Sequence, residues 1–252
     1  MAKKGIILVT MVRVASVFLA FVLTLSFMAP PAFAKDDFEV KEKVFIHNPR
    51  PGKPGKPPQG SYCTLYGDDK VGDYSVAGWN MPEGGMTYKI NTSSMPYNVS
   101  VIGVEAIKKG FEEWTNNDKA KKFFYDGQTL IGSAKYDGTN TIAWKRINSS
   151  AIAITYTWYR TDTNTVVETD TLFNNNLPWT VQQYEDDGCY PDVLAYDVQN
   201  IATHEFGHWV GLNDLYSEYD EALTMYGYGS FGEVKKDTLG TGDKEGLSSV
   251  LP

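Results

Sequence analysis

Residues 204–214 read His-Glu-Phe-Gly-His-Trp-Val-Gly-Leu-Asn-Asp, a run whose residue types and spacing suit metal chemistry. Side chains four apart on an α-helix lie one above the other, so the imidazoles of His204 and His208 can reach one metal ion. Glu205, one residue after the first imidazole, is placed for a water on that metal rather than for the metal itself. Zn2+ takes nitrogen donors readily, and a catalytic zinc keeps three protein ligands and one open position. Gly211 can adopt a positive φ, end the helix and turn the chain back. Asp214 could then bring a carboxylate to the same ion; capping the turn after Gly211 is its other reading. The chain has three histidines. The remaining one, His47, falls in a Pro-rich arm, so no third imidazole is expected from the folded domain. Asp214 is therefore the candidate third ligand.

These residues need elements to hold them. Residues 192–210 read as the motif's helix, with Val198, Ile201 and Ala202 along one side. A second amphipathic helix is expected over 99–114, where Val101, Val104, Ile107, Phe111 and Trp114 recur at helical intervals, with Ser100 as N-cap. Strands are expected at Met86–Ile90, at Thr141–Lys145, and in a hairpin of residues 151–160 and 166–173. The Thr and aromatic residues of that hairpin suit a half-exposed sheet. A short helix over about 242–251 closes the chain. The order argues for one α+β domain, a sheet covered by two main helices.

The 252 residues suffice for a sizeable core, and 23 Lys+Arg against 31 Asp+Glu give a net charge of −8. Binding to nucleic acid is disfavoured, because neutralising phosphates needs a basic surface. Two cysteines exclude a disulfide-dense scaffold and a four-cysteine metal site. Residues 1–34 join Lys3, Lys4 and Arg13 to an apolar run that ends on Ala32-Phe33-Ala34. This reads as a cleaved signal peptide, so the protein is expected to be secreted, with no stable membrane insertion afterwards. Removing these residues takes three basic groups and makes the charge −11. Residues 35–61, ending in NPRPGKPGKPPQGS, read as a Pro/Gly-rich arm or short propeptide, which leaves 62–252 as the catalytic domain. Cys63 and Cys189 are expected to pair after export, closing a loop of about 126 residues worth roughly 4–5 kcal/mol. A Cys63 thiolate on the metal is the competing reading. Asp162, Glu168, Asp170, Asp186, Asp187 and Asp192 could hold Ca2+, but none has EF-hand spacing and solvated surface is the default.

HEFGHWVGLND resembles the zinc motif of the metzincin metalloendopeptidases. Asp214 stands where most members have a third histidine, as in the snapalysin type. The run Asp197-Val198-Gln199-Asn200-Ile201-Ala202 is similar to the matrixin lead into the active-site helix, and residues 168–179 to the segment before it. Leu223-Thr224-Met225-Tyr226-Gly227-Tyr228 resembles the Met-turn, and 238–247 the start of the final helix. The resemblance spans residues 79–251 and is strongest over 197–226. It implies a twisted, mostly parallel sheet with an antiparallel edge strand, two main helices and a C-terminal helix. It also implies a zinc endopeptidase acting on extended protein or peptide substrates, with Glu205 as general base on a zinc-bound water. Met225 would be an apolar floor, and Tyr226 or Tyr228 would hold the oxyanion or line the cleft. Substrate would add as a strand to an exposed sheet edge, for which residues 151–160 are the candidate. A monomer is expected. The matrixin prodomain cysteine motif and the histidines of a second, structural zinc are absent. The alternative function is a non-catalytic, zinc-stabilised extracellular binding module, against which the intact Glu205 argues.

Overall fold

Alternation of side chains decides the strands. Met86, Tyr88 and Ile90 point one way and are buried, so the expected strand forms with its expected bounds. The structure, a computed structural model, describes residues 38–52, 71–182 and 192–250. Its strands are β1 (Val40–Pro49), β2 (Met86–Ile90), β3 (Phe123–Gln128), β4 (Thr141–Lys145), β5 (Ala153–Arg160), β6 (Val166–Asn174), β7 (Trp179–Thr180), β8 (Tyr196–Asp197) and β9 (Tyr228–Gly229). Its α-helices are α1 (Gly103–Asn117), α2 (Val198–Val210) and α3 (Thr241–Ser249). Seven strands form one mixed sheet in the order β3-β2-β4-β6-β5-β1-β9, and β7 pairs with β8. The pairs β2·β3, β2·β4, β4·β6 and β1·β9 are parallel; β5 runs antiparallel to both β6 and β1. The protein is thus α+β, with a mostly parallel mixed sheet and three helices.

Two expectations about the sheet are corrected. Residues 40–49, read as part of a Pro/Gly-rich arm or short propeptide, form β1 and pair along the length of β5, from Val40 opposite Arg160 to His47 opposite Ala153. Strand β5 is therefore interior, not the sheet edge. The Pro/Gly composition that suggested an arm starts only at Asn48, and it was extended too far upstream. The threonines of the β5–β6 hairpin are also not half exposed. Thr155, Thr157, Thr169 and Thr171 are fully buried, because α2 lies across them.

Helix α1 uses Ile107, Phe111 and Trp114 for burial as expected, but it starts after Val101, which stays exposed. Its N-cap is Ile102 without a side-chain hydrogen bond, so Ser100 does not cap it. Phe111 stacks on Phe206 of α2 at 3.5 Å, and the Trp114 indole donates to the Thr203 carbonyl at 2.8 Å. The core therefore joins α1 directly to the helix that carries the motif. Among the described residues, no helix is long and apolar enough to cross a membrane.

Two carboxylates on β6 fasten the loop before β4. Glu168 accepts the N–H groups of Asp137 and Gly138 at 2.9 and 2.6 Å, and Asp170 those of Lys135 and Thr141 at 3.0 and 2.8 Å. Both are buried, which corrects the solvated-surface reading for this pair. Asp162 pairs with Arg160, and Asp192 caps the Leu194 N–H. Asp186, Asp187, Cys63, Cys189 and residues 1–34 lie outside the described residues.

Burial raises the Asp170 pKa to about 7, against the two N–H bonds that lower it. An unfolded Asp titrates near 4, so between about pH 4 and pH 7 the folded chain holds the extra proton and loses stability as pH rises. Asp170→Asn stays neutral throughout. Its Tm should rise relative to the parent between pH 4 and 7 and then level off, as thermal melts at several pH values will read. A constant offset would contradict the assignment.

Candidate metal centre

Helix α2 is buried almost all round, and its start is set by Asp197, whose side chain accepts the Asn200 N–H at 2.9 Å. The expected start at residue 192 was early because Tyr196 and Asp197 form β8 first. The helix ends at Gly211, which caps it in the left-handed region with φ of 104°. A side chain there would carry strain and would also meet the Trp79 carbonyl. The reversal brings Asp214 back against the helix.

Each imidazole is oriented from behind. His204 Nδ1 lies 2.7 Å from the Thr224 carbonyl, and His208 Nδ1 lies 2.9 Å from the Leu212 carbonyl. A carbonyl only accepts, so both Nδ1 atoms carry the proton and both Nε2 atoms present a lone pair. Those lone pairs face Asp214 Oδ1 at 3.1 Å from His204 and 3.6 Å from His208. None of the three atoms makes a hydrogen bond, although all are buried. Burial pulls the pKa of His204 down to about 4 and lowers that of His208 as well, so both rings are neutral near pH 7. Burial would raise the Asp214 pKa, but His208 and His204 outweigh it and hold the group near 2, ionised.

Three acceptor atoms facing one another in a dry site repel unless a cation sits between them. Donors around a tetrahedral ion with bonds of about 2.0–2.1 Å stand about 3.3 Å apart. The separations of 3.1 and 3.6 Å fit that edge. Two neutral imidazoles and a carboxylate are thus a fitting donor set for a small divalent ion.

Glu205 lies beside this trio, with a carboxylate oxygen within 4.8 Å of a His204 ring nitrogen, but it is held separately. Its Oε2 accepts the Thr155 hydroxyl at 2.6 Å; Thr155 in turn lies 2.7 Å from the Thr171 hydroxyl, which accepts the Trp209 indole N–H at 2.9 Å. This chain from α2 through β6 and β5 fixes the carboxylate. Burial raises the Glu205 pKa to about 8, against the Thr155 hydrogen bond.

Met225 packs under α2, and Gly207 makes room for it, since a Cβ there would overlap Met225 Sδ. Asp243 of α3 anchors this turn by accepting the N–H groups of Thr224 and Met225 at 2.7 and 2.9 Å. The tyrosine hydroxyl that reaches the trio is that of Tyr216, 3.2 Å from Asp214 Oδ2. Tyr228 packs edge-on to both Tyr216 and Tyr226, and the Tyr226 ring lies beneath Arg50.

The largest correction concerns His47. It is fully buried, its Nδ1 is 3.2 Å from Glu205 Oε1, its ring lies 3.9 Å from that of His204, and the buried Lys236 ammonium is 3.2 Å from its Nε2. Setting it aside on an arm was wrong, because β1 carries it into the site. Asp214 nevertheless keeps its place on geometry. The trio of His47, His204 and Glu205 also gathers possible ligand atoms, yet both His47 nitrogens are engaged and an ammonium already stands beside them. A cation would be repelled there. Sequence reasoning missed His47, Lys236, Thr155, Thr171, Tyr216 and Asp243. Tyr216 stands two residues from Asp214, whereas the others act from distant positions; in β5 the alternation favours Ile154 and Tyr156 as the inward face, yet Thr155 and Thr157 are the buried ones.

Comparison of the chain with family models and with curated proteins returned no match.

Proposed function

We propose that the protein is a secreted, zinc-dependent endopeptidase of metzincin type. The observation that carries this reading is the meeting of three proton-free donor atoms beside a buried, separately held carboxylate. His204, His208 and Asp214 hold the zinc. When bound, zinc supplies a Lewis acid that polarises the scissile carbonyl and acidifies water. Glu205, whose burial-raised pKa the positive charge of a bound zinc would lower, accepts a proton from the attacking water and returns it to the leaving nitrogen, so that the C–N bond breaks into a carboxylate and an amine. The Thr155 hydroxyl occupies Oε2, so the proton moves through Oε1, the oxygen that His47 Nδ1 meets at 3.2 Å and must give up first. Residues 1–34, with their basic start and small-residue end, support the export part of the reading.

The test is cleavage of a denatured protein by the purified chain, assayed intact and with β1 released, lost on chelation and restored by zinc. Asp214→Ala should weaken zinc binding at least tenfold in competition with a colorimetric chelator, a readout independent of turnover. Cleavage indifferent to chelators, or unchanged zinc affinity in that variant, would overturn the proposal.

A further inference from the structure

Strand β1 contributes one side chain to the core, Phe45 against Trp79, but turns its aliphatic residues outward. Its outward side chains include Val44 and Ile46, which are 40% and 44% exposed, whereas Lys43, Phe45 and His47 face the protein. A strand that belongs to a core turns its aliphatic residues inward. Every inward side chain of β1 instead meets the metal centre or its rim. The Lys43 ammonium donates to Asn213 Oδ1 at 2.7 Å, the Phe45 ring stacks on His208 at 3.9 Å, and His47 lies against His204 and Glu205. The backbone of β1 runs antiparallel along β5, with the Ile152 N–H donating to the His47 carbonyl at 2.8 Å.

The pocket that encloses His47 has a polar floor. Lys236 is fully buried, and its ammonium donates to the carbonyls of Tyr226 and Tyr228 at 2.6 and 3.0 Å. Its third proton points to His47 Nε2. One wall is bare backbone, since a Cβ on Gly229 would stand 3.1 Å from that nitrogen. The nearest carboxylate, Glu233, stands 4.0 Å from the ammonium, beyond hydrogen-bond reach, so the remaining proton favours an occupant that brings a hydrogen-bond acceptor and disfavours an aliphatic or cationic one.

We propose that β1 occupies the groove in which a substrate chain lies, and that Lys236 makes the His47 pocket select substrate side chains carrying a hydrogen-bond acceptor. The proposal rests on the endopeptidase reading. While β1 is in place, His47 holds Glu205 Oε1, and the chain is latent.

The full chain, given a recognition site for a sequence-specific protease after Gly52 and then cut, tests this without turnover. A fluorescein-labelled peptide with the sequence of residues 38–50 should exchange with the cut strand, read by anisotropy in metal-free buffer. Peptides bearing His47→Leu or His47→Lys should bind at least tenfold more weakly than the parent peptide, and His47→Gln should bind within about threefold. Lys236→Met should erase the preference for Gln over Leu. If that variant does not fold, the peptide series on the parent protein decides alone. A cut strand that never exchanges, or whose departure unfolds the protein, marks β1 as core and overturns the proposal. Equal binding of the His47→Leu and His47→Gln peptides overturns the role of Lys236. Exchange with the expected preference, but no peptide cleavage after strand removal in zinc, would sink the endopeptidase reading and leave the groove assignment standing.

Discussion

Glu205→Gln should lower kcat by about 10²–10⁴-fold while leaving zinc affinity and Tm near those of the parent. The amide keeps an oxygen to accept the Thr155 hydroxyl, so the chain Trp209–Thr171–Thr155 still has its terminus. What the amide cannot do is take a proton from water. The side chain does not touch the three donor atoms of the metal centre, which explains why metal binding should survive. Parallel measurements of kcat, zinc competition and thermal melting separate loss of the base from loss of the site. Full activity in this variant would remove Glu205 from the mechanism.

Trp114→Ala should destabilise the protein by about 3–5 kcal/mol, seen as a lower urea midpoint at unchanged slope. The indole is fully buried between α1 and α2, and a Cβ added at Gly207 would already touch it. Its N–H also satisfies the carbonyl of Thr203, the residue immediately before His204. Truncation therefore opens a cavity behind the motif helix and removes the second hydrogen bond to a carbonyl already bonded within the helix. A loss below about 1 kcal/mol would mean that the α1–α2 contact is far looser than its ring stacking indicates.

Much of the metal centre was legible because its decisive geometry is local. Two imidazoles four apart, a glycine that reverses the chain and an aspartate three residues on all follow from helix periodicity and one left-handed residue. Gly211 adopts that conformation, and Asp214 arrives where the reversal sends it. Strands β2 and β4 were legible for a similar reason, as each is short and bounded by turn residues. His47 was not. Its strand turns Lys43 and His47 inward beside Phe45 and its aliphatics outward, so a hydrophobic-inside rule gives it no clear buried face. Lys236 was hidden by the same logic, since a buried ammonium is rare and its three acceptors come from Tyr226, Tyr228 and a strand nearly two hundred residues away in sequence. Ser100 misled because it stands ready as a cap, yet the helix begins after Ile102. Local rules fail where a residue is defined by what it meets across the fold.

Asp243 has a bearing on when the site can exist at all. It lies 29 residues after Asp214, and it fastens the turn whose Thr224 carbonyl steers His204. A chain still emerging from the ribosome can have both imidazoles, Glu205 and Asp214 in hand and still lack that fastening. The order of synthesis therefore puts completion of the candidate metal centre after every strand of the sheet, β9 included, has been made.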